Sequence, residues 1–133
     1  MNGANFLEVA QRLESSVSEA ERRTSIGRSY YALYNVLVDF LSSHGVSFYR
    51  HAKDHGRLVR YLMDTKDRQA DAIASALRDL RNRRNVADYQ MSRFVDVRES
   101  HHAYRLARTE LDRFIALSPG ERHAIVECIK RLP

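Results

Sequence analysis

Four arginines fall within seven residues in the segment Arg78-Asp79-Leu80-Arg81-Asn82-Arg83-Arg84. Guanidinium groups are permanently charged, planar donors that pair with phosphate oxygens two bonds at a time, so this run is the part of the chain best suited to hold an anion. Charge count alone also describes a solvated helix end. Position separates the two readings. Ile73, Leu77 and Leu80 recur at threes and fours, and the next step of that stripe is Arg84, followed by Ala87. A guanidinium in a core register has to meet a carboxylate or backbone carbonyls, or line a cleft. Asp88, four residues further on, is within reach if the helix continues that far. Arg81 lies on a flanking face and shares the expected cleft, with Arg78, Asn82 and Arg83 beside it. A purely structural ion pair between Arg84 and Asp88, pinning the bundle, is the alternative.

Other chemistry is thinly represented. Of the six histidines, His44, His51 and His55 bracket an aromatic connection, and the adjacent His101 and His102 point to different helix faces. Only His51 and His55 have i, i+4 spacing, and neither a metalloprotease motif nor a carboxylate-rich partner accompanies them, so no metal and no cofactor are expected. No glycine-rich phosphate loop, nucleophile elbow or paired-carboxylate arrangement is present. Cys128, the single cysteine, reads as a small core residue with no disulfide framework around it. Tyr30, Tyr31 and Tyr34 could form a stacking surface for bases. Their place in a wide apolar stripe favours core packing, with Arg84 or Asp88 as natural partners for their hydroxyls.

The elements that must position these residues are helices. Five glycines and two prolines leave few breaks, and apolar residues recur at helical spacing throughout. A first helix is expected from about Asn5 to Ser15, carrying Phe6, Val9, Ala10 and Leu13 on one stripe. A second opens on a capping box, Ser18 with Glu21, and runs to about Ser43. Its stripe of Ile26, Tyr30, Leu33, Tyr34, Leu37 and Leu41, widened by Tyr31 and Val38, implies burial on more than one side and a central position. Gly27 inside it suggests a close backbone approach. After the connection Val46 to Lys53, Asp54 is expected to cap a short third helix through Leu62. A fourth covers about Arg68 to Val86, a break follows at Ser92 to Val95, and a fifth covers Val97 to Leu117. The last is announced by Ser118, Pro119 and Glu121 as cap, first-turn proline and capping box. Residues 1–133 thus read as one all-α domain, an up-and-down bundle of four to five core helices with a short C-terminal helix.

Composition narrows the function classes. Twenty-two Lys and Arg against seventeen Asp and Glu in 133 residues give a formal charge of +5, compatible with an anionic partner and equally with an ordinary solubility charge. Met1 to Leu13 has charges within its apolar stretch, unlike a signal peptide, and no uncharged apolar run approaches the roughly 20 residues of a membrane span. A cytoplasmic protein without a membrane partner is the expectation.

Two segments together resemble a known family. Arg28-Ser29-Tyr30-Tyr31-Ala32-Leu33-Tyr34-Asn35 is similar to the second-helix signature of HEPN domains. Arg84-Asn85-Val86-Ala87-Asp88-Tyr89 resembles the Arg-x-x-Ala-Asp-Tyr variant that closes the fourth helix in one branch of that family, and Lys53-Asp54-His55-Gly56 is similar to a stretch of the same branch. The resemblance spans about Phe6 to Phe114. It implies a helical bundle that forms homodimers, with the fourth-helix motif facing a cleft at the dimer interface. It further implies a component of a two-gene, toxin-antitoxin-like system with a nucleotidyltransferase partner, binding nucleotide or RNA through the arginine-rich cleft. The alternative it implies is a divergent metal-independent ribonuclease toxin using Arg81, Arg84, Asp88 and Tyr89. The family's ribonuclease motif places a His after the Arg-polar pair. Here Arg81-Asn82 supplies the pair, Ala87 stands at the His position, and no residue from Arg81 to Val97 is histidine.

Overall fold

The computed structural model describes residues 2–133. It is an all-α bundle of six helices: α1 (Asn5–Leu13), α2 (Glu19–Ser43), α3 (Asp54–Asp64), α4 (Arg68–Tyr89), α5 (Val97–Ala116) and α6 (Pro119–Lys130). As its wide stripe requires, α2 is central and packs against α1, α4 and α5; α3 lies against α4 and touches α6. One buried apolar cluster joins residues of all six helices, from Leu7 and Ala10 through Leu33, Leu58 and Leu77 to Leu111 and Ile129. Each fully buried leucine of this kind contributes roughly 1.5–3 kcal/mol relative to exposure.

Several helix ends differ from the expectation, each for a local reason. The first helix stops at Leu13, two residues early, because Ser16 N–H bonds Leu13 O and turns the chain toward Ser18. Ser18 caps α2 by accepting from Glu21 N–H, but the reciprocal half of the box is not made: the Glu21 carboxylate takes the Ser16 hydroxyl instead. Asp54 is not a cap. It is the first residue of α3, preceded by Lys53, and its buried carboxylate accepts from the N–H groups of Tyr49 and His51 and from Arg57. Asp54 therefore folds the preceding connection back onto α3. The third helix continues past Leu62 to Asp64, and the fifth ends at Ala116, with Leu117 already extended as its C-cap. The box at Ser118 and Glu121 is complete, and Asp96 with Glu99 forms another that starts α5.

The fourth helix continues three residues beyond Val86, to Tyr89. What holds this extra turn is Arg23, a buried arginine near the start of α2. Its guanidinium donates to the carbonyls of Ala87 (2.8 Å), Gln90 (3.2 Å) and Arg93, and more weakly to Val86. The carbonyls at a helix C-terminus have no partner within the helix, and a cation there also meets the negative end of the dipole. The neighbouring Arg22 donates to Val95 O and Ser16 O. Glu19 closes the clamp by accepting from Val95 N–H at 2.7 Å and pairing with Arg23. Glycine plays a different part from the one expected. A side chain at Gly27 would meet nothing within 4 Å, whereas a Cβ at Gly3 would come within 2.9 Å of Asn35 Cβ and 3.1 Å of Val36 N. The close approach is thus between the entry to α1 and the middle of α2.

Candidate functional site

The tyrosines of α2 are where three helices meet. Tyr30 is 1 % exposed, while Tyr31 and Tyr34 are half-buried. The hydroxyl of Tyr30 does not reach Arg84 or Asp88. It is hydrogen-bonded to Nδ1 of His55, on the first turn of α3. The His55 ring is stacked on Tyr34, with centroids 4.4 Å apart and planes at 18°, and it meets Tyr31 edge-on at 6.3 Å. One imidazole edge is therefore fixed by a phenol and one face by a second ring, which removes most of its rotamer freedom. Sequence reasoning passed over His55 as a site residue. A signal was available: His55 lies one turn before Leu58 and Val59 on the buried stripe of α3, the same kind of register anomaly that singles out Arg84.

Arginines flank this pair. Arg84 is half-buried, its side chain 20 % exposed, and it lies over the Tyr31 ring at 5.3 Å and the Tyr89 ring at 5.6 Å. Its Nε is 2.9 Å from Asp88 Oδ2. The N–H does not point along that line, so the contact is an ion pair without an aligned hydrogen bond. Arg28 approaches from the α1 side, over Phe6 at 4.9 Å and Tyr31 at 5.4 Å. Asn35, one turn below Tyr31 on α2, packs against Gly3 and plays no part in the cluster.

The electrostatics follow from burial and these cations. Burial pushes the Tyr30 phenol far above its ordinary range, against the opposing charges of Arg81 and Arg84, so it remains a protonated donor. Burial likewise raises Tyr34, helped by the nearby Asp54 carboxylate. His55 is held below its ordinary value, first by burial and then by the positive charges of Arg81 and Arg84, with Asp54 opposing. At neutral pH the imidazole is neutral, and a group of that kind can accept or pass a proton.

The remaining residues of the arginine run separate. Arg78, Arg81 and Asn82 line a cleft of about 440 Å³ between α3 and α4, whose floor includes Tyr30. Arg83 faces the other way. Its Nε is 3.0 Å from Asp79, and it lines a smaller cleft against α2 and α5 with Ile26 and Val95. Tyr89 is 71 % exposed and meets the site through Arg84, whose guanidinium lies over its ring. Asp88, its side chain 38 % exposed, pairs with Arg84 one turn away on the same helix. The histidines of α5 are directed elsewhere, His101 to Glu14 (3.2 Å) and His102 to Asp79 (3.6 Å). Cys128 is half-buried, its thiol 3.7 Å from Thr65 O. Among the described residues no three His, Cys, Asp or Glu side chains converge as a metal-binding set, and no helix is long and apolar enough to cross a membrane.

Together these side chains bring two permanent cations, Arg81 and Arg84, near the hydrogen-bonded Tyr30–His55 pair and the Tyr34 ring stacked on it. Such an arrangement can bind a phosphate beside a neutral imidazole. No known protein family, curated protein or solved structure matches this chain.

Proposed function

We propose that the protein is a HEPN-type helical module that binds the phosphates of RNA or a nucleotide through Arg81 and Arg84. In this reading it works as a homodimer and as one component of a two-gene, toxin-antitoxin-like pair with a nucleotidyltransferase partner. The observation that carries the binding reading is the joint arrival of Arg81 and Arg84 beside the aromatic group of Tyr31, Tyr34 and His55. Cations track a phosphate backbone, and the partly exposed edges of these rings adjoin them. The test is anisotropy titration of a labelled single-stranded RNA over a salt series. Arg81→Ala should weaken binding and lower the slope of log K against log salt by about 0.7, the share of one phosphate contact. Equal affinity and slope for the parent and Arg81→Ala would remove Arg81 from the site.

One observation favours a second reading, a metal-independent ribonuclease. The fourth helix lacks a histidine, but His55 of α3 stands beside the same arginines. Cleavage would transfer the ribose 2′-hydroxyl proton to the His55 imidazole as the 2′-oxygen attacks phosphorus, and the departing 5′-oxygen would take its proton from solvent. The products are a 2′,3′-cyclic phosphate and a 5′-hydroxyl, and the arginines stabilise the charge that builds on the phosphorane oxygens. If this reading holds, RNA incubated with protein and chelator yields those ends, and both His55→Asn and Arg84→Ala abolish them while His101→Asn does not. Intact RNA after such incubation leaves the binding module alone.

A further inference from the structure

The Arg81 cleft does not end at α4. A second cleft of about 540 Å³ adjoins it along α3, lined by Ala52, Lys53, Arg57 and, in common with the first, by Gly56, Arg60 and Arg81. The two form one groove. Both volumes fall within the ~300–1,000 Å³ typical of ligand pockets. Five cations face it: Lys53, Arg57, Arg60, Arg78 and Arg81. Arg57 is neutralised by Asp54, but Lys53, Arg60, Arg78 and Arg81 make no salt bridge among the described residues. The single carboxylate on the lining is Asp64, at the far end of α3. Like-charged side chains converging without counter-ions raise the energy of the free protein, and an anion in the groove relieves that repulsion.

The lining mixes cationic and apolar side chains along its length. Val59 and the exposed Met63 form an apolar strip along the first cleft, while the second has Lys53, Arg60 and Arg81 set among Ala52, Gly56 and the Asp54-paired Arg57. A chain that alternates apolar rings with charged linkers fits such a groove better than a compact anion does. Gly56 stands on the wall the two clefts share, and a Cβ built there would meet nothing within 4 Å. Its backbone is ordinary helix, so the missing side chain leaves the passage between the clefts open.

We propose that the groove between α3 and α4 holds successive phosphates of a single-stranded polyribonucleotide, extending the Arg81 site along α3 toward Lys53. The idea rests on the RNA-binding reading above and adds Lys53, Arg60 and Gly56 to the site. The test compares a labelled diribonucleotide with an oligouridylate of about 12 nucleotides, within the ~4–16-nucleotide footprint of single-strand sites. The parent, Gly56→Leu and the double variant Lys53→Gln/Arg60→Gln are titrated over a salt series. Leucine obstructs the passage without altering charge, and it is a better helix former than glycine, so Gly56→Leu keeps the fold. Circular dichroism and melting temperature verify this.

The parent should bind the longer strand many-fold more tightly than the dinucleotide. Gly56→Leu should lose most of that gain. The double variant should bind the longer strand with a salt slope lower by about 1.4, two contacts at about 0.7 each. Parent-like binding of the longer strand by both variants would overturn the proposal while leaving the Arg81 site standing. So would equal affinity of the parent for both lengths, or equally tight binding of a duplex of the same length. A parent that binds no RNA at all would sink the RNA-binding reading and this one together.

Discussion

At the scale of single residues, His55 is the group whose state depends on condition. It is half-buried near two guanidinium groups, and its affinity for a proton is lower in the folded chain than in the unfolded one. The unfolded state therefore binds more protons through the window just below the ordinary histidine value of 6.5, and stability rises with pH across it. The contribution is complete above pH 6.5 and is lost as pH falls through the folded value. Urea melts at pH 5 and pH 7.5 should show a smaller stability difference for His55→Phe than for the parent. An unchanged or larger difference would mean that another group titrates in that window. Arg84 and Asp88 are a different kind of pair. They lie one turn apart on the same helix, so their contact is visible in the spacing, and half of it faces solvent, where an ion pair is worth about 1 kcal/mol or less. Arg84 matters more through the two aromatic rings it covers than through the carboxylate it meets.

At the scale of elements, α4 depends on α2 for its last turn. The expected end at Val86 overlooked Arg23, whose guanidinium supplies donors to carbonyls that a helix end otherwise leaves to water. Extending the helix to Tyr89 is what brings Asp88 within one turn of Arg84 and sets the exit toward α5. Arg23→Met should destabilise the protein by about 3 kcal/mol, because a charged hydrogen-bond network is broken and buried carbonyls are left without donors. Arg23→Lys should recover only part of that loss, since an ammonium cannot reach several carbonyls at once. Denaturant titration measures both. Near-parent stability of Arg23→Met would show that solvent replaces the clamp. The third helix is docked on a similar principle. Asp54 ties the connection before α3 through the N–H groups of Tyr49 and His51 and through Arg57, and those bonds hold its carboxyl below the usual range although burial opposes the charge. The start of α3, and with it His55, is thus anchored by the residue that spacing alone suggested as a cap.

At the scale of the whole molecule, the apolar cluster is continuous through all six helices, so the bundle is expected to unfold as one unit. Leu33→Ala, at the fully buried centre of α2, should cost about 2–5 kcal/mol. Helix loss followed by far-ultraviolet dichroism and tyrosine exposure followed by fluorescence should melt together in that variant and in the parent. Separated transitions would show that α6 or α3 unfolds on its own. Helix number, the central role of α2, the caps at Ser18 and Ser118 and the core register of Arg84 were all legible in the sequence. They follow from the 3.6-residue period, which fixes which side chains share a face of one helix. The Tyr30–His55 bond, the Arg23 clamp and the division of the arginine run between two clefts were not legible. Tyr30 and His55 are 25 residues apart, and Arg23 lies 64 residues from Ala87. Such contacts depend on how α3 and α4 are rotated and seated against α2, which the packing of the shared core decides and no local spacing encodes.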